Sequence, residues 1–184
     1  APDGYGAALL LDGWALLGRA DLRAAEDALR RWLAAAALVR PGADGGTVTV
    51  VADAAIPTVQ SLIRWDPVGH ARAELAARTE VGLPPAVHLA ALDGPAPAVT
   101  ALLADAGLLG TDPGYPAEVL GPVPLPPGAR RPAGIDGGAE IIRMLVRVPR
   151  DFGLALATAL RRATGVASAR REHQPVRVQI DPLR

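Results

Sequence analysis

The chain has 184 residues, half of them apolar, with no cysteine and a formal net charge of zero. This length suits one mid-sized domain or two small ones, and the lack of cysteine excludes disulfides and thiolate metal sites. The charge is unevenly placed, because residues 1–119 carry eight Arg and fourteen acidic residues, whereas residues 120–184 carry eleven Arg and five acidic residues. The resulting net charges of −6 and +6 favour an anionic partner for the second part.

The chain begins with a predicted strand and a predicted amphipathic helix. Residues 6–12 are a continuous apolar run, which predicts a buried parallel strand. Apolar residues recur at helical spacing over 21–39, with Asp21 as the expected N-cap and Leu29 and Trp32 on the buried face. We expect the chain to be a segment of a longer protein, since it opens on alanine and reaches a strand within a few residues.

The next elements continue the alternation of strands and helices. A second strand is predicted at 47–52, followed by a short helix at 56–65 with Val59, Leu62 and Ile63 inward. Asp66 and the following proline predict the start of another helix, which runs to about Arg78. Strand, helix, strand, helix is typical of α/β layering.

The pattern changes after the break Gly82-Leu83-Pro84-Pro85. The elements beyond it are predicted as strand 86–92, helix 96–106, strand 118–123, strand 139–148, helix 150–164 and strand 175–181. This βαββαβ order is that of a ferredoxin-like split-βαβ sandwich, with one antiparallel sheet and two helices on one face. The predicted fold class is therefore α/β for residues 1–82 and α+β for residues 83–184.

The sequence carries no pattern of a complete active site. It has no Gly-x-x-x-x-Gly-Lys-Ser/Thr phosphate loop, and the histidines His70, His88 and His173 are too isolated to predict a metal site. No apolar run approaches the about 20 residues that a membrane-spanning helix needs. We therefore expect a cytoplasmic protein with no catalytic residue, no metal and no cofactor in this segment.

Arginines in the second part are candidates for binding nucleic acid. Arg143 and Arg147 lie four residues apart on a predicted strand and should share one face. Cations of this kind contact phosphate without reading base sequence, although each one alone is also typical of an ordinary exposed surface. The candidate DNA-binding residues are Arg130, Arg131, Arg143, Arg147, Arg161, Arg162, Arg170 and Arg171.

Five segments together carry a family pattern: LLLDGWALLGRADLRAAEDALRRW (9–32), GADGGTVTVVAD (42–53), ARAELAARTEVGLPPAVHLAAL (71–92), VLGPVPLPPGARR (119–131) and VRVQIDPL (176–183). They resemble the end of the replication-restart helicases of the primosomal protein N-prime (PriA) family, in its degenerate actinobacterial form. The resemblance implies that residues 1–82 are the C-terminal part of helicase lobe 2 and residues 83–184 a DNA-binding domain. It also implies that ATP and zinc are bound upstream. The implied partners are fork or junction DNA, primosome proteins and single-strand-binding proteins.

One motif of that family is missing. The family carries Gln-x-x-Gly-Arg-Ala-Gly-Arg before the turn at 42–46, and its arginines reach the γ-phosphate of the nucleotide. Here residues 32–39 read Trp-Leu-Ala-Ala-Ala-Ala-Leu-Val, with Arg40 the nearest cation, and residues 140–142 (Glu-Ile-Ile) replace a family Arg-aromatic pair. We therefore expect a DNA-binding restart protein without helicase activity. The alternatives are an active ATP-dependent 3′–5′ DNA helicase with its motor residues upstream, and a structural lobe with protein partners only.

Overall fold

The computed structural model describes residues 4–109, 116–135, 138–170 and 174–182, and the chain divides into two compact units. The first unit is Ala1–Ala77 and the second is Arg78–Arg184. Each unit has its own cluster of buried apolar side chains. Within the described ranges, no helix combines the length and the apolar character that crossing a bilayer requires.

The first unit pairs two short parallel strands and packs helices beside them. Its elements are β1 Ala7–Leu10, α1 Gly13–Leu17, α2 Ala24–Ala36, β2 Thr47–Val50, α3 Pro57–Ile63 and most of α4 Pro67–Glu80, whose last turn belongs to the second unit. The parallel pairing predicted for β1 is confirmed, with Ala7 opposite Thr47. The core includes Leu29 and Trp32, of which Trp32 is only 1% exposed, so the predicted buried face of α2 is also confirmed.

Three local predictions for the first unit are wrong. Leu9 is 66% exposed, because it alternates to the strand face opposite Leu10, and β1 is not covered on both sides. The helix α2 begins three residues later than predicted: Asp21 accepts a hydrogen bond from the backbone N of Arg23 at 2.9 Å and forms a turn instead of a cap. Ile63 is 63% exposed, because the buried face of α3 is centred one residue earlier.

The helix α4 begins as the sequence predicts. Asp66 Oδ1 accepts a hydrogen bond from the backbone N of Gly69 at 2.7 Å, and Pro67 is the first helical residue. The helix runs to Glu80, and the chain then turns at Gly82, which has a φ of 63°. This left-handed conformation explains why glycine occupies the position.

The second unit is an antiparallel four-stranded sheet with two helices. Its elements are β3 Val87–Gly94, α5 Ala96–Asp105, β4 Glu118–Pro124, β5 Ile142–Pro149, α6 Gly153–Arg170 and β6 Arg177–Ile180. The strand order is β4-β5-β3-β6, and every pairing is antiparallel. The element order and the strand order are those of a split-βαβ sandwich, as predicted. The helix α6 is longer than the predicted 150–164, and a 3-10 turn precedes it.

Alternation along β5 decides which side chains reach the core of the second unit. Val146 and Val148 are fully buried and pack with Leu103 of α5 and Leu156 of α6. Because successive strand residues point to opposite faces, Arg143, Leu145 and Arg147 lie on the face that does not carry the helices. The arginines predicted on this strand do share a face, and that face is the one away from α5 and α6.

Candidate nucleic-acid interface

Arg143 lies in a buried ion pair. Its register partner on β3 is Asp93, and the guanidinium binds both carboxylate oxygens, with Nε 2.7 Å from Oδ1 and Nη2 2.9 Å from Oδ2. Arg143 is 8% exposed and Asp93 is 1% exposed. The hydrogen bonding to Asp93 raises the pKa of Arg143 against the opposing effect of burial. Arg143 therefore neutralises Asp93 and would have to leave this pair to contact phosphate, so its place among the DNA-binding residues stays a prediction.

Arg147 is also engaged within the second unit. Its guanidinium pairs with Glu118 on β4, with Nε 3.0 Å from Oε2. Nη1 donates to the backbone carbonyls of Val81 and Gly82 at 3.3 and 3.1 Å. Arg147 thus ties the segment before β3 to the sheet, and its charge is largely compensated by Glu118. A phosphate would have to compete with these contacts, so a role for Arg147 in DNA binding also stays a prediction.

Arg130 and Arg131 lie in the loop between β4 and β5, and both are exposed. The base of this loop is closed by a hydrogen bond from the backbone N of Leu125 to the carbonyl of Ile141 at 3.1 Å. Arg131 Nη2 donates a hydrogen bond to the carbonyl of Ala139 at 2.7 Å, and this bond connects the two sides of the loop. A carbonyl acceptor leaves the positive charge of Arg131 in place. Both side chains therefore remain candidates for binding an anion.

The arginines of α6 lie on the helix layer, on the other side of the sheet from Arg143 and Arg147. Arg161 and Arg162 are exposed, and neither makes an ion pair within the part of the chain that the structure describes. Arg170 ends this helix. The side chain of Arg170, and Arg171 as a whole, lie outside the described residues. The predicted set is therefore distributed over a loop, a helix and a sheet face.

Arg177, the first residue of β6, is a further cation near this loop that was not among the residues predicted from the sequence. It lies opposite Asp93 on β3, and its Nη1 is 3.5 Å from Asp93 Oδ2 and 3.4 Å from the carbonyl of Arg130. Asp93 is the sequence signal that could have predicted such a partner, because it is an acidic residue at the end of a strand that is otherwise mostly apolar. Such a carboxylate needs cationic partners when it is buried.

The histidines do not form a metal centre in the described ranges. His88 Nδ1 lies 2.7 Å from Asp181 Oδ2, while Asp181 Oδ1 accepts a hydrogen bond from the backbone N of Leu89 at 3.0 Å. These contacts fasten the end of β6 to β3. His70 is buried on α4, and His173 lies outside the described residues. Among residues whose placement is described, no group of three or more His, Asp or Glu converges on one point.

Residues 79–183, which form almost all of this split-βαβ unit, match the family described as the primosomal protein N C-terminal domain. The chain belongs to this family, and the resemblance drawn from the sequence segments is confirmed. Two curated relatives are each called probable replication restart protein PriA: that of Mycobacterium tuberculosis is 71% identical over the whole chain, and that of Mycobacterium leprae is 67% identical. The chain spans 28% and 27% of their respective lengths.

Proposed function

We propose that the chain is the DNA-binding part of a replication restart protein, which recognises stalled or abandoned forks and helps to reload the replisome. Family membership and the names of the relatives support a place in replication restart. The observation that carries the DNA-binding assignment is a set of exposed arginines on the second unit. Its described members are Arg130, Arg131, Arg161 and Arg162.

Such a surface suits the phosphate backbone and not the bases. Guanidinium groups donate to phosphate oxygens irrespective of sequence. Reading single-stranded bases uses exposed aromatic side chains for stacking, and in the described part of the second unit the one aromatic residue is Phe152, which packs against the core. The proposed ligand is therefore duplex or junction DNA. Primosome and single-strand-binding proteins are the partners that the family suggests, and a cytoplasmic, nucleoid-associated location follows from a DNA ligand.

We also propose that the first unit is a degenerate remnant of helicase lobe 2 and that the protein does not unwind DNA. The stretch that replaces the family's γ-phosphate arginines lies at the end of α2, where Trp32 and Ala36 are buried in the core of the unit. Arg40 is exposed, and its guanidinium lies against the backbone of Gly6. Alanine has no side-chain donor, and the indole N–H of Trp32 is buried in the core, so neither can replace the guanidinium groups of the motif at a phosphate.

Charge reversal in the loop tests the DNA-binding assignment. Arg130→Glu combined with Arg131→Glu should weaken binding to a fluorescent forked duplex for every sequence tested, and should reduce the salt slope by roughly 2, at about 0.9 per phosphate contact. Arg30→Glu combined with Arg31→Glu is the matched control, because it reverses an adjacent exposed pair in the first unit. Equal affinity of the loop variant and the unmodified chain at low salt would assign DNA binding to the rest of the protein.

DNA-stimulated ATPase activity of the full-length protein tests the proposed loss of the motor. Transition-state arginines are worth roughly a thousand-fold or more in phosphoryl transfer, so turnover should be far below about 1 per second. A rate of about 1 per second that is abolished by Arg40→Ala would contradict the proposal. That result would identify Arg40 as a displaced arginine finger and the protein as an active helicase.

A further inference from the structure

We propose that Arg177, together with Arg130 and Arg131, forms a phosphate-binding site at the end of the sheet where β6 begins. The ligand is a backbone phosphodiester of DNA, so this inference rests on the proposed function and gives it a specific location. Arg130 and Arg131 were predicted from the sequence as DNA-binding residues, whereas Arg177 was not. The basis of the site is the geometry around Asp93.

Asp93 is shared unequally between two arginines. Arg143 takes both carboxylate oxygens at 2.7 and 2.9 Å, in the fork geometry that makes such pairs strong. Arg177 reaches only Oδ2, and its Nη1 is 3.5 Å away. The carboxylate is thus neutralised mainly by Arg143, and the charge of Arg177 remains largely uncompensated.

Because Asp93 and Arg143 are buried, the remaining positive charge should attract an anion more strongly than a fully exposed charge would. Two guanidinium groups and one carboxylate give a net charge of about +1 at a point where Asp93 and Arg143 are shielded from solvent. Water screens such a charge less than it screens a charge on a fully exposed side chain. The side chain of Arg177 is 31% exposed, so this is the place where an anion can reach the cluster.

The backbone of the loop between β4 and β5, which carries Arg130 and Arg131, lies beside Arg177. Arg177 Nη1 is 3.4 Å from the carbonyl of Arg130, which holds its guanidinium against the loop backbone. A Cβ on Gly134 would lie 3.8 Å from Cγ of Pro175, so the loop also lies beside the residues that lead into β6. In the described part of this loop, Glu140 is the one acidic residue, so Arg130, Arg131, Arg143 and Arg177 face Asp93 and Glu140 at this end of the sheet, and cations exceed carboxylates.

The salt dependence of DNA binding by the 184-residue chain tests this site. Arg177→Gln should weaken binding to a 20-base-pair duplex and reduce the magnitude of the slope of log affinity against log salt by about 0.9, since one phosphate contact is lost. Arg177→Lys keeps the charge and should retain the slope. Arg72→Gln, an exposed arginine of α4 in the first unit, is the matched control and should change neither quantity.

The outcomes separate the two proposals. An unmodified chain that does not bind DNA at low salt removes the proposed function. A chain that binds, but whose slope is the same after Arg177→Gln, overturns only the site at Arg177. Equal loss in the Gln and Lys variants also overturns it, because a structural role and not the charge would then be responsible. Inorganic phosphate titrated alone should bind far more weakly than the duplex, because one phosphate makes only one of the contacts; an affinity equal to that for the duplex would indicate a site for free phosphate instead.

Discussion

Replacing Arg143 with leucine should destabilise the second unit strongly. The substitution leaves the carboxylate of Asp93 buried at 1% exposure, and Arg177, at 3.5 Å, is then its remaining ion-pair partner among the described residues. Removing one partner of a buried ion pair costs about 3–5 kcal/mol, because a buried charge is left uncompensated. Arg177 remains within reach, so we expect a loss of about 3 kcal/mol, near the lower end of that range.

A double substitution separates the cost of an unpaired charge from the value of the pair. Replacing both partners, with Asp93→Val and Arg143→Leu, removes the buried charge and fills the space with apolar groups. Such replacements are often close to neutral, so most of the lost stability should return. The control is Arg162→Leu on the exposed side of α6, which should change stability by less than about 0.5 kcal/mol.

The aromatic residues of the chain allow the two units to be followed separately in urea. All three Trp residues, Trp14, Trp32 and Trp65, belong to the first unit, so tryptophan fluorescence reports that unit alone. Far-UV circular dichroism reports both units. Arg143→Leu should shift the circular-dichroism transition and leave the fluorescence midpoint in place, since the first unit has its own core. A shift worth less than about 1 kcal/mol would refute the assignment of Arg143 as the essential partner of a buried Asp93.

Three further experiments test the core of the first unit, the turn at Gly82 and the ion pairs of Asp27. Trp32→Ala removes a side chain that is 1% exposed and should cost about 3–5 kcal/mol in urea denaturation; a loss below about 1 kcal/mol would mean that α2 buries another face. Gly82→Ala combines a φ of 63° with a Cβ that would lie 2.6 Å from Nη1 of Arg147, and should cost about 1–2 kcal/mol by the same assay; no change would contradict the turn geometry. Hydrogen bonds from Arg30 and Arg19 lower the pKa of Asp27, so its contribution to stability is present above its unfolded value and is lost as pH falls through the lowered pKa. Carboxyl NMR should show this pKa below 3.8 and moving back towards it in Arg30→Gln, and an unchanged pKa in that variant would contradict the assigned cause.

The sequence predicts the core of this protein well because periodicity is a local property. The spacing of Leu29 and Trp32 follows the turn of a helix, and the alternation of Val146 and Val148 follows the pleat of a strand. Both patterns need only neighbouring residues to be recognised. The βαββαβ order follows from the same signals taken along the chain, and this order is typical of an antiparallel split-βαβ sheet.

The candidate site is less predictable because it depends on pairing across long separations. Arg143 and Asp93 are 50 residues apart, and nothing near Arg143 in the sequence shows that Asp93 will lie opposite it. The strand pattern places Arg143 and Arg147 correctly on one face, but it cannot show that Asp93 and Glu118 already neutralise them. Arg177 is not predicted for the same reason: its uncompensated charge depends on Asp93 being paired mainly with Arg143. A charged residue on a strand therefore has to be judged after the register is known.

The central claim is that this chain binds DNA through arginine contacts to phosphate, and equilibrium binding as a function of salt tests it most directly. Fluorescence anisotropy of a forked duplex, titrated with the 184-residue chain between about 50 and 300 mM salt, gives the slope of log affinity against log salt. With about four phosphate contacts the slope should be about −3 to −4, and it should be the same for forks of unrelated sequence. A slope near zero, or no binding at the lowest salt, would contradict the account.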